Sequence, residues 1–186
     1  MLVALAPALA AVPARAQGQA QGQTQAQAGE RAVAPWRQQL SEPRLHGSAR
    51  LTWFGLHVYD AKLWAARGFD PLRPDEHAFA LELTYARAFS GRDIAARSLV
   101  EMKRAGDIDP GVAARWEQSL AALLPDVKPG DRIAGVHRPG RGASFFHNDR
   151  FLGDTADPRF ATRFFAIWLG PDTSEPAMRA RLLGRP

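Results

Sequence analysis

Hydrophobic and polar positions alternate in three runs near the start of the folded part of the chain. Two of the runs lie within residues 45–66 with little between them, and the third spans Ala78–Phe89. A period of two, with aromatic and β-branched residues on one side, is typical of β-strands. Gly55 interrupts the first pair, and this predicts a bulge or a close backbone approach there.

The period changes at Ser90, where helix signals begin. Ser90 followed by Asp93 predicts a capped helix that ends near Gly106. Asp109-Pro110 and Asp157-Pro158 each place an N-cap before a first-turn proline, and so predict two further helices. A last short helix is predicted over residues 176–184.

Strand patterns return between the second and third helices. The predicted strands are Arg132–His137, Ala143–His147 and Arg150–Gly153, separated by turns rich in glycine, asparagine and aspartate. Strands and helices thus come in segregated runs. This order predicts an α+β fold with an antiparallel sheet covered by helices on one side.

The N-terminal residues differ in composition from the rest. Met1–Val12 is an apolar, alanine- and leucine-rich stretch, and Ala14-Arg15-Ala16 matches an A-x-A cleavage site. These features predict a secretory signal peptide at residues 1–16. Residues 17–35, rich in glutamine and alanine, lack the apolar mass to fold, and predict a disordered tether. The folded domain is then expected over residues 36–186.

Charge and cysteine content narrow the function classes. The formal net charge is +5, yet the arginines are scattered and interleaved with acids, so nucleic-acid binding is not expected. The chain has no cysteine, which excludes disulfides and thiolate chemistry. No run of about 20 uncharged apolar residues follows the N-terminus, and no transmembrane segment is predicted there.

Several motifs in a fixed order resemble the bacterial branch of the chalcone-isomerase-like family. They cover roughly residues 44–184 and comprise Gly55–Trp64, Leu83–Arg87, Val127–Asp131, Pro139-Gly140, Phe160–Gly170 and Leu182–Gly184. The resemblance implies an open-faced sandwich, in which a large antiparallel sheet carries helices packed on one face and a cleft lies between the sheet and the helices. Members from plants isomerise chalcones with an Arg, a Thr, a Tyr and an Asn around a bound water, whereas plastid members bind fatty acids through an Arg and a Tyr.

The catalytic set of the plant enzymes carries over poorly to this sequence. Phe54 stands at the place of the threonine, with Thr52 close by, and the second helix offers Trp116 but no Tyr or Asn. Without these donors a developing oxyanion would lack stabilisation. No catalytic residue is therefore assigned.

The candidate binding residues are an arginine and a tyrosine for an anionic head group. Arg50 with Tyr59 is the first choice, since a guanidinium and a phenol together suit a carboxylate. Tyr85 and Arg87 are the alternatives on the neighbouring strand. Thr52 and Trp116 complete the predicted set, the latter as part of an apolar wall.

The five histidines show no spacing typical of a metal site, and neither metal nor cofactor is predicted. His137 and His147 are expected to face each other across the Pro139–Gly142 hairpin.

Three functions remain open at this point. The leading one is a periplasmic protein that binds a small apolar ligand, such as a fatty acid, without catalysis. The second is an intramolecular lyase that acts on a flavonoid-like substrate. The third is a structural or partner-binding protein without a ligand.

Overall fold

One antiparallel sheet of six strands organises the fold, and its strands follow one another in chain order. The computed structural model describes residues 34–184. The strands are β1 (Arg44–Trp53), β2 (Leu56–Ala65), β3 (Phe79–Tyr85), β4 (Arg132–Arg138), β5 (Gly142–His147) and β6 (Arg150–Thr155). Each predicted strand is present, although β3 ends four residues before Phe89 and β6 runs two residues past Gly153.

Four α-helices complete the fold: α1 (Gly91–Met102), α2 (Pro110–Leu123), α3 (Pro158–Leu169) and α4 (Pro176–Leu182). The predicted N-caps are confirmed for the first three. The Ser90 hydroxyl accepts a hydrogen bond from the Asp93 N–H, and the Asp109 carboxylate accepts one from the Val112 N–H. Asp157 accepts from both Arg159 and Phe160.

The main core lies between the helices and one face of the sheet. It joins inward-facing residues of the strands, such as Leu63 and Phe145, to Met102, Trp116 and Leu182 of the helices. Gly135 lies under the Phe165 ring, where an added Cβ would approach that ring to 3.1 Å. The α+β open-faced sandwich predicted from the sequence is confirmed.

The opposite face of the sheet is partly covered as well. A short 3-10 helix, Pro35–Gln39, packs Trp36 and the following Leu40 onto Ala80, Val136 and neighbouring residues, which form a second, smaller apolar cluster. Its first residue, Pro35, is one position before the predicted start of the folded domain. Residues 1–33, which include the predicted signal peptide and most of the predicted tether, lie outside the described residues.

The β1–β2 hairpin corrects the interpretation of Gly55. Phe54 and Gly55 form a two-residue turn, with Trp53 paired to Leu56 and φ of +48° and +77°. Positive φ at both positions is what a type I′ hairpin turn requires. The bulge lies farther along: the pair Thr52–His57 is followed by Leu51–Tyr59, so Val58 is an extra residue on β2.

Within residues 34–184 no helix is both long and apolar enough to cross a bilayer.

Candidate functional site

An apolar cleft of about 470 Å³ opens between one end of the sheet and the helices. Its sheet side is formed by the end of β1, the start of β2 and the end of β3, and its helix side by α1, α3 and the segment that follows α3. Aliphatic and aromatic side chains supply most of the wall, among them Leu51, Leu56, Leu83, Phe89, Ile94, Phe164 and Trp168. A volume in this range fits a small ligand.

Two tyrosines from adjacent strands bring polar groups into this apolar wall. Tyr59 of β2 is directly opposite Tyr85 of β3, so both side chains point to the same face of the sheet. Their ring centroids are 6.0 Å apart in an edge-to-face arrangement. The Trp168 indole N–H donates to the Tyr59 hydroxyl at 2.9 Å, which leaves the phenolic proton of Tyr59 free to be donated.

The Tyr85 hydroxyl has no hydrogen-bond partner among residues 34–184. Burial raises the pKa of Tyr59 to about 12, although the hydrogen bond from Trp168 works against this shift. Burial also raises the pKa of Tyr85, and the neighbouring Tyr59 adds to the effect. Both phenols are therefore protonated at neutral pH and can donate to an acceptor on a ligand.

Helix α1 places an ion pair on the cleft. Arg97 donates to the Glu101 carboxylate, with 2.5 Å between Nη2 and Oε1. Glu101 is more than nine-tenths buried, whereas the arginine side chain is mostly exposed. The two charges compensate each other, and Glu101 Oε2 is buried without a hydrogen-bond partner among the described residues.

Arg87 lies on the cleft just beyond the end of β3 and is exposed. No carboxylate of the described residues comes within 4.0 Å of its guanidinium. An unpaired guanidinium beside an apolar cleft can pair with the carboxylate of a bound molecule.

The structure brings together three of the six predicted binding residues: Tyr59, Tyr85 and Arg87 all line the cleft. It does not bring Arg50 together with Tyr59. The extra residue at Val58 shifts the register, so that Arg50 is opposite Asp60 and Leu51 is opposite Tyr59. Arg50 therefore lies on the other face, where its Nε is 2.8 Å from Asp60 Oδ1. That hydrogen bond lowers the pKa of Asp60.

Thr52 and Trp116 also lie away from the cleft. Thr52 is exposed and does not contribute to the lining. The Trp116 indole donates to Asp157 at 2.9 Å, and its ring packs edge-to-face on Phe160. Trp116 borders a smaller pocket near the start of α3. Trp116 is therefore not part of the predicted ligand-binding wall. It is a core residue that joins α2 to α3.

The expected juxtaposition of His137 and His147 is wrong. In the β4–β5 register His137 pairs with Ala143, and His147 pairs with Ile133 at the other end of the hairpin. His137 Nδ1 contacts the His77 carbonyl at 2.9 Å, and His147 lies near Asp131. Residues 34–184 contain no group of three His, Asp or Glu side chains arranged to hold a metal.

Sequence reasoning missed Arg97, Glu101 and Trp168. Arg97 and Glu101 are four residues apart on a predicted helix, a spacing that places both on one side of the helix and signals an ion pair. Trp168 lies in the predicted third helix, but its hydrogen bond to a tyrosine of a distant strand has no local signal in the sequence.

The fold and cleft define the class of this protein. Residues 38–184 match the family described as chalcone isomerase-like, and the chain belongs to that family.

Two known proteins are similar to this chain. An uncharacterized protein of Haemophilus influenzae is 28% identical over 139 residues, which are 75% of this chain and 67% of that protein. The crystal structure of an Arabidopsis thaliana fatty-acid binding protein superposes with a TM-score of 0.59 at 13% identity, over 76% of this chain and 86% of the other. At 13% identity, the similarity to the Arabidopsis protein shows a shared fold and nothing further.

Proposed function

We propose that the protein binds an apolar small molecule with a hydrogen-bond acceptor at one end, such as a fatty acid, and does not transform it. The observation that carries the proposal is the cleft itself. Its walls are apolar, and its Tyr59 and Tyr85 phenols are held in the protonated, donating form. The fatty-acid binding of the Arabidopsis neighbour agrees with this choice of ligand class.

The polar groups of the cleft suit binding better than catalysis. A tyrosine whose pKa is raised is a poor general base at neutral pH. Arg97 and Glu101 compensate each other, and Thr52 lies on the far face of the sheet. The resemblance that suggested an isomerase depends on a threonine in the cleft, and the geometry offers no such group at Thr52.

The predicted export signal adds a cellular compartment to this proposal. The apolar Met1–Val12 stretch and the Ala14-Arg15-Ala16 site support secretion into the periplasm. The ligand would then be met outside the inner membrane.

The central test is Tyr85→Phe in a displacement assay with a fluorescent fatty acid. The Tyr85 hydroxyl has no partner among the described residues, so its removal leaves no protein donor or acceptor unsatisfied. We expect fatty-acid affinity to fall by roughly tenfold, the effect of losing one hydrogen bond of about 1–1.5 kcal/mol. Thermal stability of the free protein should stay close to that of the wild type.

Arg87→Gln and Arg50→Gln provide a matched pair of variants. Arg87 lies on the cleft and Arg50 on the opposite face, so only the first should weaken binding of a carboxylate. Binding of the corresponding methyl ester should be unaffected by either change. A wild-type protein that takes up no fatty-acid probe, or an equal effect of both arginine variants, would overturn the proposal.

A further inference from the structure

The tip of the β1–β2 hairpin carries exposed apolar side chains that the fold itself does not use. Trp53 is 54% exposed, Phe54 is 89% exposed and Leu56 is 52% exposed. The Phe54 ring makes an edge-to-face contact with Trp53. These three residues are called the apolar tip below.

The backbone conformation of Phe54 adds to the free-energy cost of an exposed aromatic residue in the apolar tip. Its φ is +48°, in the left-handed region that glycine, asparagine and aspartate tolerate best. Type I′ turns accordingly favour Asn-Gly, and here the sequence is Phe-Gly. An aromatic residue that is both strained and exposed lowers stability and solubility. Its role is therefore expected in an interaction with another molecule.

The apolar tip stands clear of the rest of the sheet. Pairing between β2 and β3 begins only at Tyr59, whereas the β1–β2 ladder continues to Trp53 and Leu56. The last bond to the chain that follows β3 is from the Ala86 N–H to the Val58 carbonyl, so the two residues on each side of the turn, Thr52 and Trp53 on β1 and Leu56 and His57 on β2, project past β3. A narrow, convex projection of this kind suits insertion into a soft surface better than packing against a flat protein interface.

The apolar tip is continuous with the cleft. Trp53 and Leu56 line the cleft and are also half exposed, so an apolar path leads from the tip to the ligand site. A long-chain amphiphile dissolves in bilayers far better than in water. A tip inserted among lipids would let such a molecule enter the cleft without crossing bulk water.

The charges around the tip fit an anionic surface. The nearest carboxylate on the hairpin, Asp60, is neutralised by Arg50 and lies 3.2 Å from His57. Arg87 lies on the cleft without an acidic partner in the described residues, and the net charge of the chain is +5. The three carboxylates on the cleft come from the helix side: Asp93, Glu175 and Glu101, the last of which is paired with Arg97. Arg87 can therefore pair with the phosphate of an anionic lipid head group when the aromatic tip is inserted.

We propose that the apolar tip docks the protein on an anionic phospholipid surface, from which the cleft takes up or to which it delivers its ligand. The second half of this statement rests on the proposed function, and the first half does not.

The test measures binding of protein expressed from the full-length sequence to vesicles of equal parts phosphatidylcholine and phosphatidylglycerol, by flotation. Phe54→Asn is the informative variant, because asparagine suits a positive φ and should keep or improve folding. We expect it to weaken vesicle binding by about tenfold or more, as follows from losing the burial of one phenylalanine. Leu72→Asn is the control, since Leu72 is an exposed apolar residue (69%) away from the cleft lining.

Each outcome has a distinct meaning. Vesicle binding that Phe54→Asn weakens and Leu72→Asn does not supports the docking surface. Equal flotation of wild type and Phe54→Asn overturns it, as does a dimer in lipid-free solution that Phe54→Asn dissociates, since the tip would then bind a second copy. Fatty-acid displacement in lipid-free solution tests the ligand separately, and Phe54→Asn should match the wild type there because Phe54 does not line the cleft.

Discussion

At the residue scale, His137 is the buried ionisable side chain with the clearest consequence for stability. Its ring stacks on Phe79 with centroids 4.9 Å apart and meets the edge of Phe165. Burial lowers the pKa of His137 below its ordinary 6.5, although the His77 carbonyl partly offsets this effect. The folded state therefore holds the ring neutral.

The protein should lose stability on mild acidification. As the pH falls below the ordinary histidine pKa, the unfolded chain binds a proton at His137 that the folded chain does not yet bind. The free energy of unfolding, measured by urea denaturation, should fall between about pH 7 and about pH 5. His137→Gln keeps a neutral donor at this position and should make that dependence shallower.

Asp131 titrates outside the range between about pH 7 and about pH 5, so it does not contribute to the loss of stability expected there. Hydrogen bonds from Asn148 and from the Lys128 N–H lower the pKa of Asp131, so its contribution to stability is lost only at more acidic pH. A slope between about pH 7 and about pH 5 that His137→Gln leaves unchanged would show that other groups control it.

Individual residues also explain why part of the site was predictable from the sequence. Strand alternation placed Tyr59 and Tyr85 on inward positions, and the helix signal at Ser90 set the end of that region. Arg50 was misplaced because an unbulged two-residue hairpin pairs Trp53 with Leu56 and, by simple counting, Arg50 with Tyr59. The extra residue Val58 changes that count, and nothing in the local sequence marks it.

At the element scale, Asp157 joins two helices through one carboxylate. Its Oδ1 caps α3 by accepting from the Arg159 and Phe160 N–H groups, and its Oδ2 accepts from the Trp116 indole of α2. The sequence predicted the cap, because Asp-Pro is a typical helix start. It could not predict the tryptophan, which is 41 residues away.

Asp157→Ala should therefore destabilise the protein more than the loss of a cap alone. We expect a fall of about 2–3 kcal/mol in the free energy of unfolding, which combines the cap with an unsatisfied buried indole N–H. Asp109→Ala, which removes only the α2 cap, should cost about 1 kcal/mol. Equal losses in urea denaturation would mean that the bond to Trp116 contributes nothing.

At the scale of the whole molecule, the order of elements was predictable and the second face of the sheet was not. Segregated strand and helix patterns implied an antiparallel sheet covered on one side. Trp36 and Leu40 pack on the other side, from a short helix that follows residues of very different composition. A single tryptophan between Pro35 and Arg37 gives no periodicity from which such packing could be inferred.

Export of the protein is a prediction that concerns the whole chain. If residues 1–16 are a signal peptide, the protein recovered from the periplasm should begin at Gln17. Intact-mass measurement of that material checks the cleavage site. A mass that retains Met1, or material found only in the cytoplasm, would contradict the expectation.

The extra residue at Val58 also affects how relatives should be compared. If Val58 were instead paired in a regular ladder, it would be opposite Leu51, and Arg50 would be opposite Tyr59 rather than Asp60. Counting residues in an alignment is therefore not enough at this point, because the bulge decides whether a basic or an apolar side chain of β1 lies beside the tyrosine. Family members that differ there are expected to prefer ligands of different charge, even where every cleft residue is otherwise the same.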